Sequence, residues 1–369
     1  MTELVTRRVC LLGFGNVGRR LCELVARNDD ELAKRHGLRL RLVAIGTAGH
    51  GSLLAPAGVS AAEALELATG PDAGRRAFPE PVRPGVDLLA TSGADVLVEA
   101  TPLDPHGGRL AIAHLEAALG HGADAITVNK GPIAWDYRRL AGLAAANGRR
   151  LLFEGAVMDG CPVFNLFRSC LPDCRLLGFD AVFNSTTNFI LDAMGEGGGF
   201  AAALAQVQAA GYAEADPSHD IDGHDAAAKV AALANVLMDA GMTPDDVPKD
   251  SIRDVTPERV TTARRAGRRL RVLCTARSGD AAGGVAAGGV GSVAGDGANA
   301  GEASGRVHGA VRLTELDPEH PLYSAGGSTL SVLLHTDLMG TVQIAEHGAL
   351  PEQTAYGIYS DLIALHEGR

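Results

Sequence analysis

Aromatic side chains supply only 4% of this 369-residue chain, with a single Trp. Its cores must therefore be closed by aliphatic side chains and close backbone contact rather than by stacked rings. Cysteine is also sparse: Cys10, Cys22, Cys161, Cys170, Cys174 and Cys274 are scattered, and only Cys170 and Cys174 lie close together. No second Cys or His pair completes a zinc pattern, so buried free thiols are expected rather than a disulfide scaffold or a zinc site. Positive charge is in deficit, 33 Lys and Arg against 44 Asp and Glu for a net charge of −11. That balance excludes a sequence-independent grip on nucleic acid, which needs clustered basic residues. No run approaches the roughly 18 apolar residues of a membrane span. Residues Met1 to Arg8 lack an apolar signal core, and no internal repeat is visible. A cytoplasmic enzyme of two or three domains is the starting expectation.

What is present in the first third is alternation of strand-like and helix-like segments, the pattern of a parallel α/β sheet. Arg8 to Leu12 reads as a buried strand, and Val17, Leu21, Leu24 and Val25 then mark one helical face. Further strands are predicted at Leu38 to Ile45, Ala94 to Thr101 and Ala125 to Val128. Helices are predicted from Ser60 to Leu67, Leu110 to Leu119 and Ile133 to Ala146. Beyond Arg150 the pattern changes. Strands are predicted at Leu151 to Glu154 and Asp180 to Phe183, then a mainly helical stretch to Ala240. Short strands return at Leu270 to Thr275, Val307 to Leu313, Leu330 to His335 and Thr341 to Ala345, before a terminal helix from Glu352 to Leu365. Residues 278–306 are nearly all Gly, Ala, Ser, Val and Asp, with too little apolar side chain to order themselves, and predict a mobile surface loop.

Chemistry concentrates at four places. Gly13-Phe14-Gly15-Asn16-Val17-Gly18 follows a strand and opens a helix, as a dinucleotide fingerprint requires: a tight turn, backbone close to pyrophosphate, and close helix–strand contact. The free N–H groups of the helix start would attract the phosphates. The second strand ends Gly46-Thr47-Ala48-Gly49-His50 without the acid that usually binds the ribose 2′-hydroxyl, so Thr47 and His50 are left to meet either sugar. This favours NADP, or use of both NADP and NAD, over strict NAD. Two more strand ends, Glu99-Ala100-Thr101-Pro102 and Val128-Asn129-Lys130-Gly131, should reach the carboxyl edge where ligands bind. A Lys there can hold an anion or polarise a carbonyl, or be a solvated surface charge. The densest cluster runs from Gly211 to Lys229. Asp225 and Lys229 stand at i and i+4 on one helical face, and Pro217 and Gly223 bend a loop carrying Glu214, Asp216, Asp220 and Asp222 above it. Carboxylates near a partly desolvated Lys suit an ammonium-bearing substrate with proton transfer beside it; a salt-bridged helix start is the plainer alternative.

With these motifs the chain resembles the homoserine dehydrogenases. The likeness rests on residues 13–18, Glu99-Ala100-Thr101-Pro102, Asn129-Lys130, Glu154-Gly155-Ala156-Val157-Met158-Asp159-Gly160-Cys161-Pro162, Thr186-Thr187-Asn188-Phe189-Ile190-Leu191, and the 211–229 cluster, in order along nearly the whole chain. The resemblance implies NAD(P)-dependent, reversible reduction of L-aspartate 4-semialdehyde to L-homoserine, on the route to threonine and methionine. It implies Lys229 and Lys130 at the reacting centre, with Lys229 exchanging the proton. Glu214 and Asp225 would hold the substrate amino group, with Tyr212, Thr186 and Asp220 as further substrate contacts. Cofactor contacts would come from Gly13 to Gly18, Thr47, Thr101, Asn129 and Lys130. Glu154, with the backbone of Val157, Asp159 and Cys161, would hold a monovalent cation, Na+ or K+. The family's C-terminal regulatory domain is not seen in this sequence, so feedback by that route is not expected.

Two positions and one turn depart from the family pattern. Ser185 replaces a usual Gly, Asp159 replaces a small residue, and Glu346-His347-Gly348-Ala349-Leu350-Pro351 is bulkier and more acidic than the usual Gly-rich turn. The expected architecture is an N-terminal Rossmann domain (1–152 plus 349–369), a dimerisation sheet (153–163 plus 263–348) and an α+β substrate region (164–262). A homodimer is expected, since late strands need cover for their faces. Two other functions fit a Rossmann start: a paralogue acting on a related amino alcohol or aldehyde, and a non-catalytic NAD(H) sensor. The sensor predicts no Lys–Asp–Glu cluster, which this chain has.

Overall fold

The computed structural model describes residues 4–69, 78–104, 107–213, 216–279, 305–348 and 350–368. The chain divides into two units, residues 1–172 with 348–369, and residues 173–347. In the first, β1 (Val5–Leu12) leads into α1 (Asn16–Glu31), then β2 (Leu38–Gly46), β3 (Ser52–Val59), α2 (Ala61–Thr69) and α3 (Gly85–Ser92). There follow β4 (Val96–Glu99), α4 (Arg109–Gly120), β5 (Asp124–Thr127), α5 (Lys130–Ala146), β6 (Leu151–Leu152) and the short turn α6 (Val163–Asn165). The six strands are ordered β3-β2-β1-β4-β5-β6. All pairs are parallel except β2 with β3. Burial on both faces explains the apolar runs Val9–Leu12 and Leu42–Ile45 that end β1 and β2. One face packs through Val9, Leu11, Ile45 and Val98 onto α1 and the C-terminal helix Pro351–Glu367; the other packs through Cys10, Leu12 and Leu97 onto α3, α4 and α5. Successive connections leave β1 in opposite directions, toward β2 and then β4, which opens a crevice at their carboxyl ends.

The second unit contains β7 (Leu176–Val182), α7 (Ser185–Met194), α8 (Phe200–Ala209), the short turn α9 (Ser218–Ile221), α10 (His224–Leu237) and α11 (Pro257–Arg265). It is completed by β8 (Arg269–Ser278), β9 (Val307–Leu316), β10 (Leu330–Thr336) and β11 (Thr341–Glu346). Its antiparallel sheet runs β11-β10-β7-β8-β9. Helix α10 packs on β8 and β9, and α7 and α11 pack on β8. Small residues make α10 fit: Ala226, Ala227, Ala231, Ala232 and Ala234 are buried, and a Cβ on Gly309 of β9 would come within 2.8 Å of Val230.

Several expectations differ from this structure. Residues 153–163 form no strand of the second sheet; they make a 3₁₀ turn at Glu154–Ala156 and lead into α6 within the first unit. The cause is the buried Glu154 carboxylate, which accepts the backbone N–H groups of Phe164 (2.9 Å) and Asn165 (2.7 Å), while the Glu154 N–H donates to Asp361 of the C-terminal helix (2.9 Å). Close approach of that helix selects glycines: a Cβ on Gly160 would lie 2.3 Å from the Gln353 carbonyl oxygen, and one on Gly357 2.9 Å from Gly155 Cα. Nor do residues 164–262 stand apart from the second sheet, because β7 is its central strand. Strand β3 and helix α3 are absent from the sequence reading. Pro56 lies in β3, which occupies a sheet edge where a missing N–H is tolerated. Most of the Gly/Ala segment expected at 278–306 lies outside the described residues.

Candidate active site

In the first unit the fingerprint turn joins β1 to α1. Gly13 has φ +100°, and a Cβ there would meet the Ala100 carbonyl oxygen at 2.2 Å; a Cβ on Gly18 would meet the Gly13 oxygen at 2.2 Å. These two glycines lock strand, turn and helix together. Gly15 is different: a Cβ there would touch nothing within 4 Å. It is also the N-cap of α1 and brings no side chain to the helix N–H groups. Open space over uncapped amides is what a pyrophosphate requires, so these residues fit a dinucleotide. Asn16 opens α1. The Phe14 side chain, in contrast, is core: it is 6% exposed and meets the Phe78 ring edge-on at 5.0 Å. Val17 packs against the same core, which leaves both residues only backbone for a cofactor.

Glu99 ends β4 fully buried and gathers the neighbouring strand ends. Its carboxylate accepts the Thr101 N–H (3.0 Å), the Thr101 hydroxyl and the Thr127 hydroxyl (2.9 Å). Asn129 caps α5 by accepting the Gly131 N–H at 3.0 Å and donates to the carbonyls of Thr101 and Pro102. Half-buried Lys130 follows as the first residue of α5. The Thr101 hydroxyl is thus committed to Glu99. Thr47 is likewise engaged, donating to the Gly51 carbonyl (2.7 Å) and accepting the His50 N–H (2.8 Å). No carboxylate occurs between Gly46 and Ser52.

At the 154–161 turn, burial and then the nearby Asp361 charge push the Glu154 carboxyl up to about 7, against the pull of its two backbone donors. Burial pushes Asp361 up to about 6. Asp159 has φ +47° and accepts the Thr354 hydroxyl at 2.7 Å. Among the described residues no group of three or more His, Cys, Asp and Glu side chains is placed to hold a metal ion.

The second unit gathers the other residues around the starts of α7 and α10. Lys229 Nζ donates to the Phe183 carbonyl at 2.7 Å and lies 3.4 Å from Asp225 Oδ2, with both side chains about 15% exposed (15% and 14%). Gly223, at φ +77°, turns the chain into α10 and so sets Asp225 and Lys229 on one face. Asn184 is the residue the sequence reading missed. Its side-chain NH2 donates to Asp220 Oδ1 (2.7 Å) and Asp225 Oδ2 (3.0 Å), and its oxygen caps α7 by accepting the Thr187 N–H at 2.9 Å. The available signal was an Asn three residues before Thr187 at a strand-to-helix junction. Burial, followed by the Asp225 charge, raises Asp220 above the usual carboxylate range; hydrogen bonds from Asn184 and Thr186 and the Lys229 charge pull it back. The Thr186 hydroxyl also lies 3.2 Å from the Tyr212 carbonyl oxygen, so its single proton serves either acceptor, and the Tyr212 ring stacks on Phe189 at 4.0 Å. Glu214 lies outside the described residues.

A dinucleotide turn and a Lys–carboxylate cluster are parts that an NAD(P)-dependent oxidoreductase requires. The profile described as homoserine dehydrogenase matches residues 162–363, and that of the homoserine dehydrogenase NAD-binding domain matches residues 13–154. The chain belongs to the homoserine dehydrogenase family. An NAD(+)-dependent homoserine dehydrogenase from Pseudomonas canavaninivorans is 34% identical over 372 residues, covering 100% of this chain and 97% of that one. A homoserine dehydrogenase from Mycobacterium leprae is 30% identical, over 98% of this chain and 72% of its own length. Among solved structures, a homoserine dehydrogenase from Thiobacillus denitrificans superposes with TM-score 0.77 at 27% identity, covering 99% of this chain and 74% of that one. A hyperthermophilic archaeal homoserine dehydrogenase in complex with NADPH gives TM-score 0.77 at 25% identity, covering 99% of each chain.

Proposed function

We propose that this chain interconverts L-homoserine and L-aspartate 4-semialdehyde with Lys229 as the proton-transfer group. The carrying observation is the Lys229 ammonium, held in a largely buried position between the Phe183 carbonyl and Asp225. In the direction of reduction Lys229 Nζ gives a proton to the substrate carbonyl oxygen; in oxidation it takes the hydroxyl proton. The nicotinamide, when bound, supplies or accepts the hydride. Asp225 and Glu214 hold the substrate ammonium, and Asp220, Thr186 and Tyr212 line the same region. Lys130 contributes charge at the start of α5. The pyrophosphate rests on the backbone from Gly13 to Gly18, with Asn129 and the Thr47 and Thr101 backbone beside the remainder of the cofactor.

With no carboxylate at the end of β2 to repel a 2′-phosphate, NADP is accepted as well as NAD. A monovalent cation, Na+ or K+, suits Glu154 and the backbone of Val157, Asp159 and Cys161, because the buried Asp361 carboxylate of the last helix lies against the buried Glu154 of that turn. The enzyme works in the cytoplasm as a homodimer formed on the second sheet.

Lys229→Ala is expected to lower kcat for homoserine oxidation by about 10²–10⁴-fold, the usual worth of a positioned acid–base group. Cofactor affinity, measured by fluorescence titration of NADPH, should hardly change. Wild-type kcat in this variant would overturn the assignment and turn attention to Lys130.

A further inference from the structure

The second unit holds a cavity of about 390 Å³ at the C-terminal end of α7, a size within the usual range for small-ligand sites. Its walls come from the end of α7, from α11 and from the start of β8, and they include Arg264, Arg268, Arg269 and Arg271. With Arg265, five arginines fall within residues 264–271 of a chain whose net charge is −11. A helix C-terminus attracts cations, which accounts for Arg264 and Arg265 at the end of α11 but not for the arginines that follow.

Two of the four lining charges are balanced internally. Arg271, 1% exposed, donates to Asp192 (2.7 Å) and to the carbonyls of Ala325 (2.6 Å) and Leu270 (3.0 Å), tying β8 to α7. Arg268 lies 2.7 Å from Glu315. The other two lack a carboxylate. The Arg264 guanidinium has no hydrogen-bond or ion-pair partner among the described residues, and it sits where a Cβ on Gly195 would come within 3.2 Å of it. The Arg269 guanidinium stacks 4.9 Å over the Tyr323 ring, an arrangement that fixes its plane and leaves its edge donors available. Exposed Glu196 stands in the same wall.

We propose that this cavity binds a small oxyanion, a phosphate or carboxylate of metabolite size, between the guanidiniums of Arg264 and Arg269. Guanidinium forks match both groups with paired, charge-assisted hydrogen bonds. Asp192 and Glu196 in the wall oppose a long polyanion, so a nucleic acid does not fit. The site occupies one end of the ten-residue α7, whose other end carries the Asn184 cap and Thr186. Occupation of the cavity and organisation of the Asp220–Asp225 region therefore share one helix.

The test uses the full chain saturated with NADPH, so that added anions cannot register at the Gly13–Gly18 turn. Inorganic phosphate and succinate are titrated separately by calorimetry at constant ionic strength set with NaCl. Saturable millimolar binding of at least one is expected; phosphate alone identifies a phosphate source, succinate alone a carboxylate source, and both a general oxyanion site. Arg264→Gln/Arg269→Gln should weaken binding about tenfold or more, the worth of lost charge-assisted bonds, and keep kcat for homoserine within about twofold. Arg264→Gln alone, at an exposed position, should weaken binding in the same direction and serves if the double variant does not fold. No saturable binding of either anion, or unchanged binding in the arginine variants, overturns the proposal.

Discussion

At Asn184 one amide donates to two carboxylates and caps a helix, so its loss should be felt in substrate binding more than in cofactor binding. Removing the cap costs about 1 kcal/mol of helix stability. The larger effect is electrostatic: Asp220 and Asp225 then face each other without their shared donor, and Asp220, already raised by burial and by Asp225, rises further. Asn184→Ala should raise KM for homoserine about tenfold, leave KM for NADP unchanged, and move the acidic limb of the kcat/KM profile to higher pH. A folded Asn184→Ala enzyme with wild-type KM and an unmoved profile would show that Asn184 merely caps α7. N-cap preference can mark Asn184 as the cap of α7, but nothing local marks its two carboxylate partners, which α9 and α10 bring to it.

At the level of the β1–turn–α1 element, the three fingerprint glycines carry separable duties. A side chain at Gly18 would collide with backbone at 2.2 Å, whereas one at Gly15 meets open space in an extended backbone that any residue adopts. Gly15→Val should therefore fold with an unchanged far-ultraviolet circular dichroism spectrum and lose cofactor affinity by about 10²-fold or more as its side chain fills the pyrophosphate space. Gly18→Val should instead lower the melting temperature sharply or fail to accumulate as soluble protein, since α1 can no longer lie against the turn. Equal affinity loss at equal stability in the two variants would remove this division.

On the scale of the whole chain, the first unit closes only when the C terminus returns to it. Ala355, Ile358, Leu362 and Leu365 of the last helix are at most 5% exposed and belong to the core shared with β1, β2 and α1. The Asp361 carboxylate also receives the Glu154 N–H, and the Ala364 carbonyl receives Arg150 Nη1 at 3.1 Å. Burying each Leu or Ile is worth about 1.5–3 kcal/mol, so losing three forfeits roughly 5–9 kcal/mol, against a total stability of about 5–15 kcal/mol for a typical domain. Ending the chain at His347 should abolish NADPH binding and the cooperative thermal transition of this unit. A truncated chain that binds NADPH with wild-type affinity would mean the returning helix is dispensable.

Local sequence determined a good deal of this protein. The parallel sheet was legible because β1, β2, β4 and β5 are short apolar runs alternating with periodic helices, and the dinucleotide turn because its glycines have fixed spacing. Asp225 and Lys229 were legible as a pair because helical geometry alone puts i and i+4 together. Only tertiary structure decided the rest. The 153–163 segment has an apolar, strand-like start, yet Glu154 and the glycines beneath the last helix fold it into a turn of the first unit. Phe14 and Val17 read as part of the cofactor motif and turn inward to the core, while the Thr47 and Thr101 hydroxyls are taken by Gly51, His50 and Glu99. The 153–163 turn and the inward Phe14 depend on partners distant in sequence, Asp361 and Phe78, of which a local pattern carries no record; the two threonines bond neighbours two to four residues away, which only the folded turn of the backbone brings within reach.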